Sequence, residues 1–231
     1  MHPAFGNVFY WDPDNGNDSN TGTSPTAATK TFAAAQTLAS SGNSDVIFCR
    51  PTGTSGASTS TEVISITKSN LRLRGPGINM QMIPTDTTTA TIRIMANNVE
   101  LSGFYISTAA TGSRNALEIS GDNVLVRDCW INNSRGHGIY TTSSARSRIL
   151  TTVVENSGQS GTGNGIFMDT DTTQALVSRC IISENQNGVS LSGSNVENNV
   201  IENSLVFNNT TYGVTVGSGV SQTMVRGQNT I

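Results

Sequence analysis

One short apolar run returns along this chain at nearly constant distance, and no other feature limits its folding as strongly. The run appears as Phe104-Tyr105-Ile106, Cys129-Trp130-Ile131, Thr152-Val153-Val154, Cys180-Ile181-Ile182, Ser204-Leu205-Val206 and Asn229-Thr230-Ile231, with spacings of 25, 23, 28, 24 and 25 residues. A second column follows it, Gly138-Ile139, Gly165-Ile166, Gly188-Val189 and Gly213-Val214. Between the two lies an asparagine series, Asn133, Asn156, Asn185 and Asn208, and upstream of each run sits a further apolar segment such as Val124-Leu125-Val126 or Ala175-Leu176-Val177. Each unit therefore holds three short strands separated by polar turns. A period of this length marks a stacked repeat architecture rather than a closed globule.

Three strands per unit predict an all-β, single-stranded right-handed parallel β-helix, in which each strand pairs with its copies about 4.8 Å above and below. Inward positions then stack like on like and fill one continuous core. Stacked turn asparagines are expected to form a hydrogen-bonded ladder, and the glycines to supply a backbone angle that other residues resist. Leucine-rich repeats compete as a solenoid, but their leucine signature and spaced helices are absent. The composition agrees: charged residues make up 13% and apolar residues 35%, while close to half of the chain is Ser, Thr, Asn or Gly. That content excludes a helical bundle. A net charge of −3 opposes nucleic-acid binding. No apolar run is long enough to insert in a membrane, and residues 1–5 lack a secretory leader pattern. Cys49, Cys129 and Cys180 have no metal-ligand spacing and are expected as buried thiols.

Residues 1–45 are expected to form an N-terminal strand, a Gly/Asp-rich loop and a capping helix, continuous with the coils of residues 46–231. The helix is predicted over Thr31–Ala39, with Phe32, Ala35, Leu38 and Ala39 on one face. Val46–Phe48, Glu62–Ile66 and Leu71–Leu73 read as the first strands, and Asn79–Thr91 as an irregular coil. Residues 157–164 and 109–114 are enlarged turns. Insertions in solenoids fall in loops, often on the working face, so these two are the expected contact surface.

The stretch Phe9-Tyr10-Trp11-Asp12-Pro13-Asp14-Asn15-Gly16-Asn17-Asp18, running on to Lys30-Thr31-Phe32, resembles the N-terminal motif of pectate-lyase-like right-handed β-helix proteins. With the coil repeat the resemblance covers nearly the whole chain, and it is strongest to the tailspikes, tail-fibre domains and appendages of tailed bacteriophages. It implies a virion component, a homotrimer associating with other virion proteins, and binding of host-surface polysaccharide, which some members cleave. The first expectation is a non-enzymatic attachment or structural module; a glycan depolymerase and a bacterial carbohydrate-binding protein are the alternatives.

Individual residues carry those alternatives. Asp12, Asp14 and Asp18 have the oxygen-rich spacing of a calcium loop, without the glycine and bidentate glutamate of the EF-hand; the other reading is a set of Asx turns. Glycoside hydrolysis needs two carboxyl groups roughly 5–9.5 Å apart. Glu155 precedes Asn156 and Glu184 precedes Asn185, so the repeat is expected to stack this pair on adjacent coils, near Arg135 and His137 of the preceding one. Tyr105, Trp130, Val153, Ile181 and Leu205 should point outward as an apolar stripe. That stripe is a subunit interface, a locally buried bend, or a sugar platform on Tyr105 and Trp130. Ile231 falls at the apolar position of an open coil, which either continues in a longer protein or is covered by partner chains.

Overall fold

We describe the fold from a computed structural model over residues 6–53, 57–161 and 163–226. The expected coil at Asn229–Ile231 lies outside those residues. Strands stack in parallel into two long sheets and one short one. In the first sheet the inward ladder runs Ile106, Ile131, Val154, Ile182 and Val206, each directly opposite the next. A second ladder of the same sheet runs Leu73, Leu101, Val126, Ile149, Val177 and Ile201. The seven-stranded sheet stacks Ile64, Ile92, Leu117, Ile139, Ile166, Val189 and Val214. These ladders share one core from Phe9 to Val206, which also takes in Trp11, Phe32, Ala35 and Ala39 of the N-terminal segment.

Left-handed residues turn each coil, and they too form columns. Asn70, Asn98, Asn123, Arg146, Gln174 and Asn198 stand two residues before the ladder strands, and Asp128, Thr151, Arg179 and Asn203 stand between the two strands of the first sheet, all with φ between 47° and 59°. Asparagine and aspartate tolerate this region better than other side chains. The third column is Asn133, Asn156, Glu184 and Asn208. Glu184, not Asn185, thus occupies the turn position, and the inward ladder sits one residue later, at the buried Ser134, Ser157 and Asn185 and the half-buried Asn209. Asn185 is fully buried. Its Oδ1 accepts from the Ser157 amide at 2.9 Å, and its Nδ2 donates to the Val154 carbonyl and to Asn209 Oδ1, both at 3.1 Å. Gly138, Gly165 and Gly188 do not lie in the left-handed region. They are required by contact instead: a Cβ at Gly138 would fall 2.6 Å from Val154 Cγ1, and one at Gly188 would fall 2.3 Å from the Gly213 carbonyl oxygen.

The helix spans Phe32–Leu38, with Thr31 as its N-cap. Thr31 Oγ1 accepts from the Ala34 amide at 3.1 Å, and the Glu62 carboxylate of the neighbouring coil accepts from Phe32 and Ala33 at 2.8 and 3.0 Å. Phe32, Ala35 and Ala39 are buried, whereas Leu38 is 38% exposed and lies against Gly22. Gln36 closes the edge of the seven-stranded sheet: its Nε2 donates to the Ser65 carbonyl at 3.0 Å and its Oε1 accepts from the Thr67 amide at 2.9 Å. An open edge invites pairing with other chains, and this side-chain amide takes the place of a neighbouring strand. The expected irregular coil after Asn79 is partly strand. Arg72–Met82 is continuous, with register shifts between Arg74 and Gln81, and Met80 and Met82 point into the core. Ser58–Ser60 is a strand without an apolar signature, paired with Met80–Met82.

Replacing Asn185 by alanine leaves the Ser157 amide and the Val154 carbonyl buried without a side-chain partner. Urea unfolding of Asn185→Ala is expected to show a loss of about 1–3 kcal/mol, while Asn208→Gly, at an exposed left-handed position, should stay within about 0.5 kcal/mol of wild type.

Candidate functional site

The outward column of the seven-stranded sheet reads Arg93, Glu118, Tyr140 and Phe167, one per coil and in register. Arg93 Nε lies 3.3 Å from Glu118 Oε2. Above this ion pair the column turns aromatic. Tyr140 and Phe167 have ring centroids 5.8 Å apart, and His137 packs on both, stacked on Tyr140 at 5.7 Å and tilted on Phe167 at 4.8 Å. The Tyr140 hydroxyl donates to Asp169 Oδ2 at 2.6 Å. Burial and this bond push the Tyr140 hydroxyl up to about 12. Burial alone would raise the Asp169 carboxyl, but hydrogen bonds from Tyr140 and Thr170 outweigh it and hold the group below its usual value. The three rings form a platform fixed by its own contacts.

His137 is held as a neutral acceptor. Its Nδ1 accepts from the Asn164 amide at 3.0 Å, which requires the proton on Nε2. Burial lowers its pKa to about 4, against a weaker opposing pull from Asp169.

The two enlarged turns stack beside this platform, joined through Arg135. Its Nε donates to the Gly112 carbonyl at 3.2 Å, and its own carbonyl accepts from the Ser160 amide at 3.0 Å and the Ser160 hydroxyl at 2.7 Å. Gly158 donates to the Ser134 and Gly136 carbonyls of the coil below, at 3.1 and 2.9 Å. Between the lower turn and the sheet lies a polar cavity of about 350 Å³. Its residues Asn115 and Glu118 adjoin the platform, since Asn115 Oδ1 accepts from the His137 amide at 2.9 Å and Glu118 stands opposite Tyr140. A second polar cavity, of about 270 Å³, involves the upper turn and includes Gln159, Glu184 and Gln186.

The other expected site residues fall elsewhere. Glu155 stands opposite Ser183, so it does not stack on Glu184, because the turn position belongs to Glu184 itself. Glu155 Oε1 accepts from Trp130 Nε1 at 2.8 Å and from Asn132 Nδ2 at 3.0 Å. The aspartates of the leading loop are dispersed over separate partners. Asp12 Oδ1 accepts from the Asp14 and Asn15 amides at 2.9 and 3.1 Å, Asp14 Oδ2 from the Gly53 amide at 2.7 Å, and Asp18 Oδ1 from the Lys30 and Thr31 amides at 2.8 Å each. Among the described residues no three His, Cys, Asp or Glu side chains converge on a point where a metal ion would sit. Asp12 makes an Asx turn, whereas Asp14 and Asp18 hold backbone amides distant in sequence. Tyr105, Trp130, Val153, Ile181 and Leu205 lie in register on the outer face of the first sheet, away from the His137 platform in the coil order. Tyr105 and Trp130 meet edge to face at 5.5 Å, while Ile181 and Leu205 are 39% and 45% exposed. The local bend therefore does not bury the stripe. Cys49, Cys129 and Cys180 are buried free thiols.

The expected residues Arg135 and His137 lie beside Tyr140, Phe167 and Glu118, which the sequence reading did not single out, and near Arg114, which it placed only at the end of an enlarged turn. The signal for two of them was present: Tyr140 and Phe167 each follow the Gly-Ile pair of the second column, at positions that alternation turns outward.

A family model described as "Right handed beta helix region" matches residues 86–230. The chain belongs to this family. The stack is accordingly a right-handed parallel β-helix of about seven turns. Among curated proteins none matches it by sequence. Among solved structures, this β-helix is similar to pectate lyase Pel9A, with TM-score 0.72, 17% identity, and coverage of 89% of this chain and 55% of that one. It is similar to the pectin methylesterase PemA from Erwinia chrysanthemi, with TM-score 0.60, 18% identity, and coverage of 93% and 66%. It is also similar to the Dettilon tailspike protein, with TM-score 0.58, 14% identity, and coverage of 91% and 46%. The chain thus spans about half the length of the lyase and of this tailspike, and at these identities the likeness is one of fold.

The histidine gives a prediction with a definite sign. The folded state resists protonation of His137, so the unfolded chain binds more protons between pH 6.5 and about 4. The stabilisation from keeping it neutral is fully present above pH 6.5 and is lost as pH falls toward 4. Urea unfolding of wild type against His137→Asn should show wild type losing on the order of 2 kcal/mol more across that window.

Proposed function

We propose that this β-helix is a non-enzymatic attachment module of a phage tail appendage, holding host-surface polysaccharide on the outer face of its seven-stranded sheet. The carrying observation is the His137–Tyr140–Phe167 platform next to a polar cavity. Aromatic faces offer rigid apolar area to a sugar ring, and neighbouring polar groups fix its orientation. Likeness to tailspike folds supports the virion setting. The apolar stripe of the first sheet supports self-association, most simply as a homotrimer, because contiguous exposed apolar surface marks association sites. A bacterial carbohydrate-binding protein would use the same platform in another setting.

The depolymerase alternative now rests on Glu184, which lines the upper polar cavity. It requires a second carboxyl group roughly 5–9.5 Å away, and Glu155 is turned to Trp130 and Asn132 instead. Release of reducing ends by wild type, abolished in Glu184→Gln, would favour that reading over attachment.

Two measurements test the proposal. Retention of the protein on host polysaccharide should fall at least about tenfold in Tyr140→Ala and Phe167→Ala while the circular dichroism spectrum is kept; unchanged retention overturns the platform. Sedimentation should give a trimer for wild type and a monomer for the Ile181→Glu, Leu205→Glu double variant, and a monomeric wild type removes the interface.

A further inference from the structure

We infer that the cavity beside the platform receives an oxyanion carried by the glycan: a carboxylate, or a sulfate or phosphate substituent. The inference rests on the attachment reading and adds the chemical class of the ligand. Arg114 decides it. Arg114 lines the cavity and is 7% exposed, yet its Nε and Nη1, both closed off from solvent, have no hydrogen-bond partner. Buried guanidinium donors are nearly always paired, and the charge they carry makes an unpaired state more costly than for a neutral amide.

The carboxylates near Arg114 are already engaged. Glu118 is held by Arg93 at 3.3 Å and by Asn115 Nδ2 at 2.9 Å. Asp86 accepts from the Thr88 and Thr89 hydroxyls at 2.7 and 3.1 Å, and it lies within electrostatic range of Arg114 without hydrogen-bonding to it. Space for the guanidinium is also built in. A Cβ on Gly112 would fall 2.0 Å from Arg114 Nη2, and Arg135 fixes the Gly112 carbonyl from the coil above. A guanidinium presents parallel N–H groups that match two oxygens of a carboxylate, sulfate or phosphate. The cavity volume of about 350 Å³ admits one sugar residue. A glycan lying on the Tyr140–Phe167 platform would place its next residue here, because Glu118 and Tyr140 are adjacent rungs of one column.

The test is titration calorimetry of the whole chain with glucuronate, glucose, inorganic sulfate and inorganic phosphate. Glucuronate is expected to bind at least about tenfold more tightly than glucose. Arg114→Met should erase the difference. Because Arg114 is buried, Ser113→Trp supplies a second variant that fills the cavity mouth from an exposed position and should block glucuronate equally. Saturable sulfate or phosphate binding without glucuronate binding supports the oxyanion pocket and assigns it to an ester substituent. Saturable binding of glucuronate and glucose with equal affinity, or no saturable binding of any of the three anions, overturns the inference. Retention of wild type on host polysaccharide would then still stand or fall separately through Tyr140 and Phe167.

Discussion

Every property of this molecule depends on in-register parallel pairing, in which each strand is hydrogen-bonded to its own copies one coil away. A residue is therefore flanked by its equivalents at about the strand spacing of 4.8 Å, and whatever holds at one rung is tested at every rung. Branched aliphatic side chains pass this test inside, where Ile106, Ile131, Val154, Ile182 and Val206 share one environment. Repeated charge fails it outside, because like charges directly opposite one another repel. Where charge does appear in a column, it alternates: Arg93 faces Glu118, and Arg72, Arg74 and Arg127 gather round Glu100. The low charge of the chain follows from its architecture.

The same pairing explains how polar turns are kept in register. A left-handed residue ends a strand abruptly and aims the next side chain inward, so the buried polar group at Ser134, Ser157 or Asn185 follows it at a fixed offset. The turn residue itself points to solvent and needs only to tolerate a positive φ, which is why Asn and Glu are interchangeable there. The buried residue after it must satisfy backbone groups of two coils at once, and Asn185 does so with both ends of its amide.

The repeat, the three strands per coil, the helix and the enlarged turns were legible in the sequence because all are set by period and by local turn chemistry. The offset of the asparagine ladder was not, since Glu184 and Asn185 are both polar and only the backbone distinguishes the exposed turn from the buried rung. That single-residue ambiguity also created the supposed Glu155–Glu184 stack. The aspartates of the leading loop misled for a related reason: spacing along the chain suggested convergence, while Asp12 and Asp14 hold the consecutive amides of Thr52 and Gly53 and Asp18 holds those of Lys30 and Thr31. Arg114 was marked only as the last residue of an enlarged turn, because an unpaired guanidinium is a property of its surroundings and not of its neighbours in sequence.

Arg135 ties the lower enlarged turn by its side chain and the upper one by its carbonyl, so each turn is fastened to a coil it does not belong to. The upper turn begins at Ser157, a rung of the buried polar ladder, but the apolar core beneath contains no residue of either turn. Their length and composition can accordingly vary with little consequence for folding, provided the fastening is kept. In such a scaffold the surface beside the sheet can change by exchange of loops while the coils remain as they are.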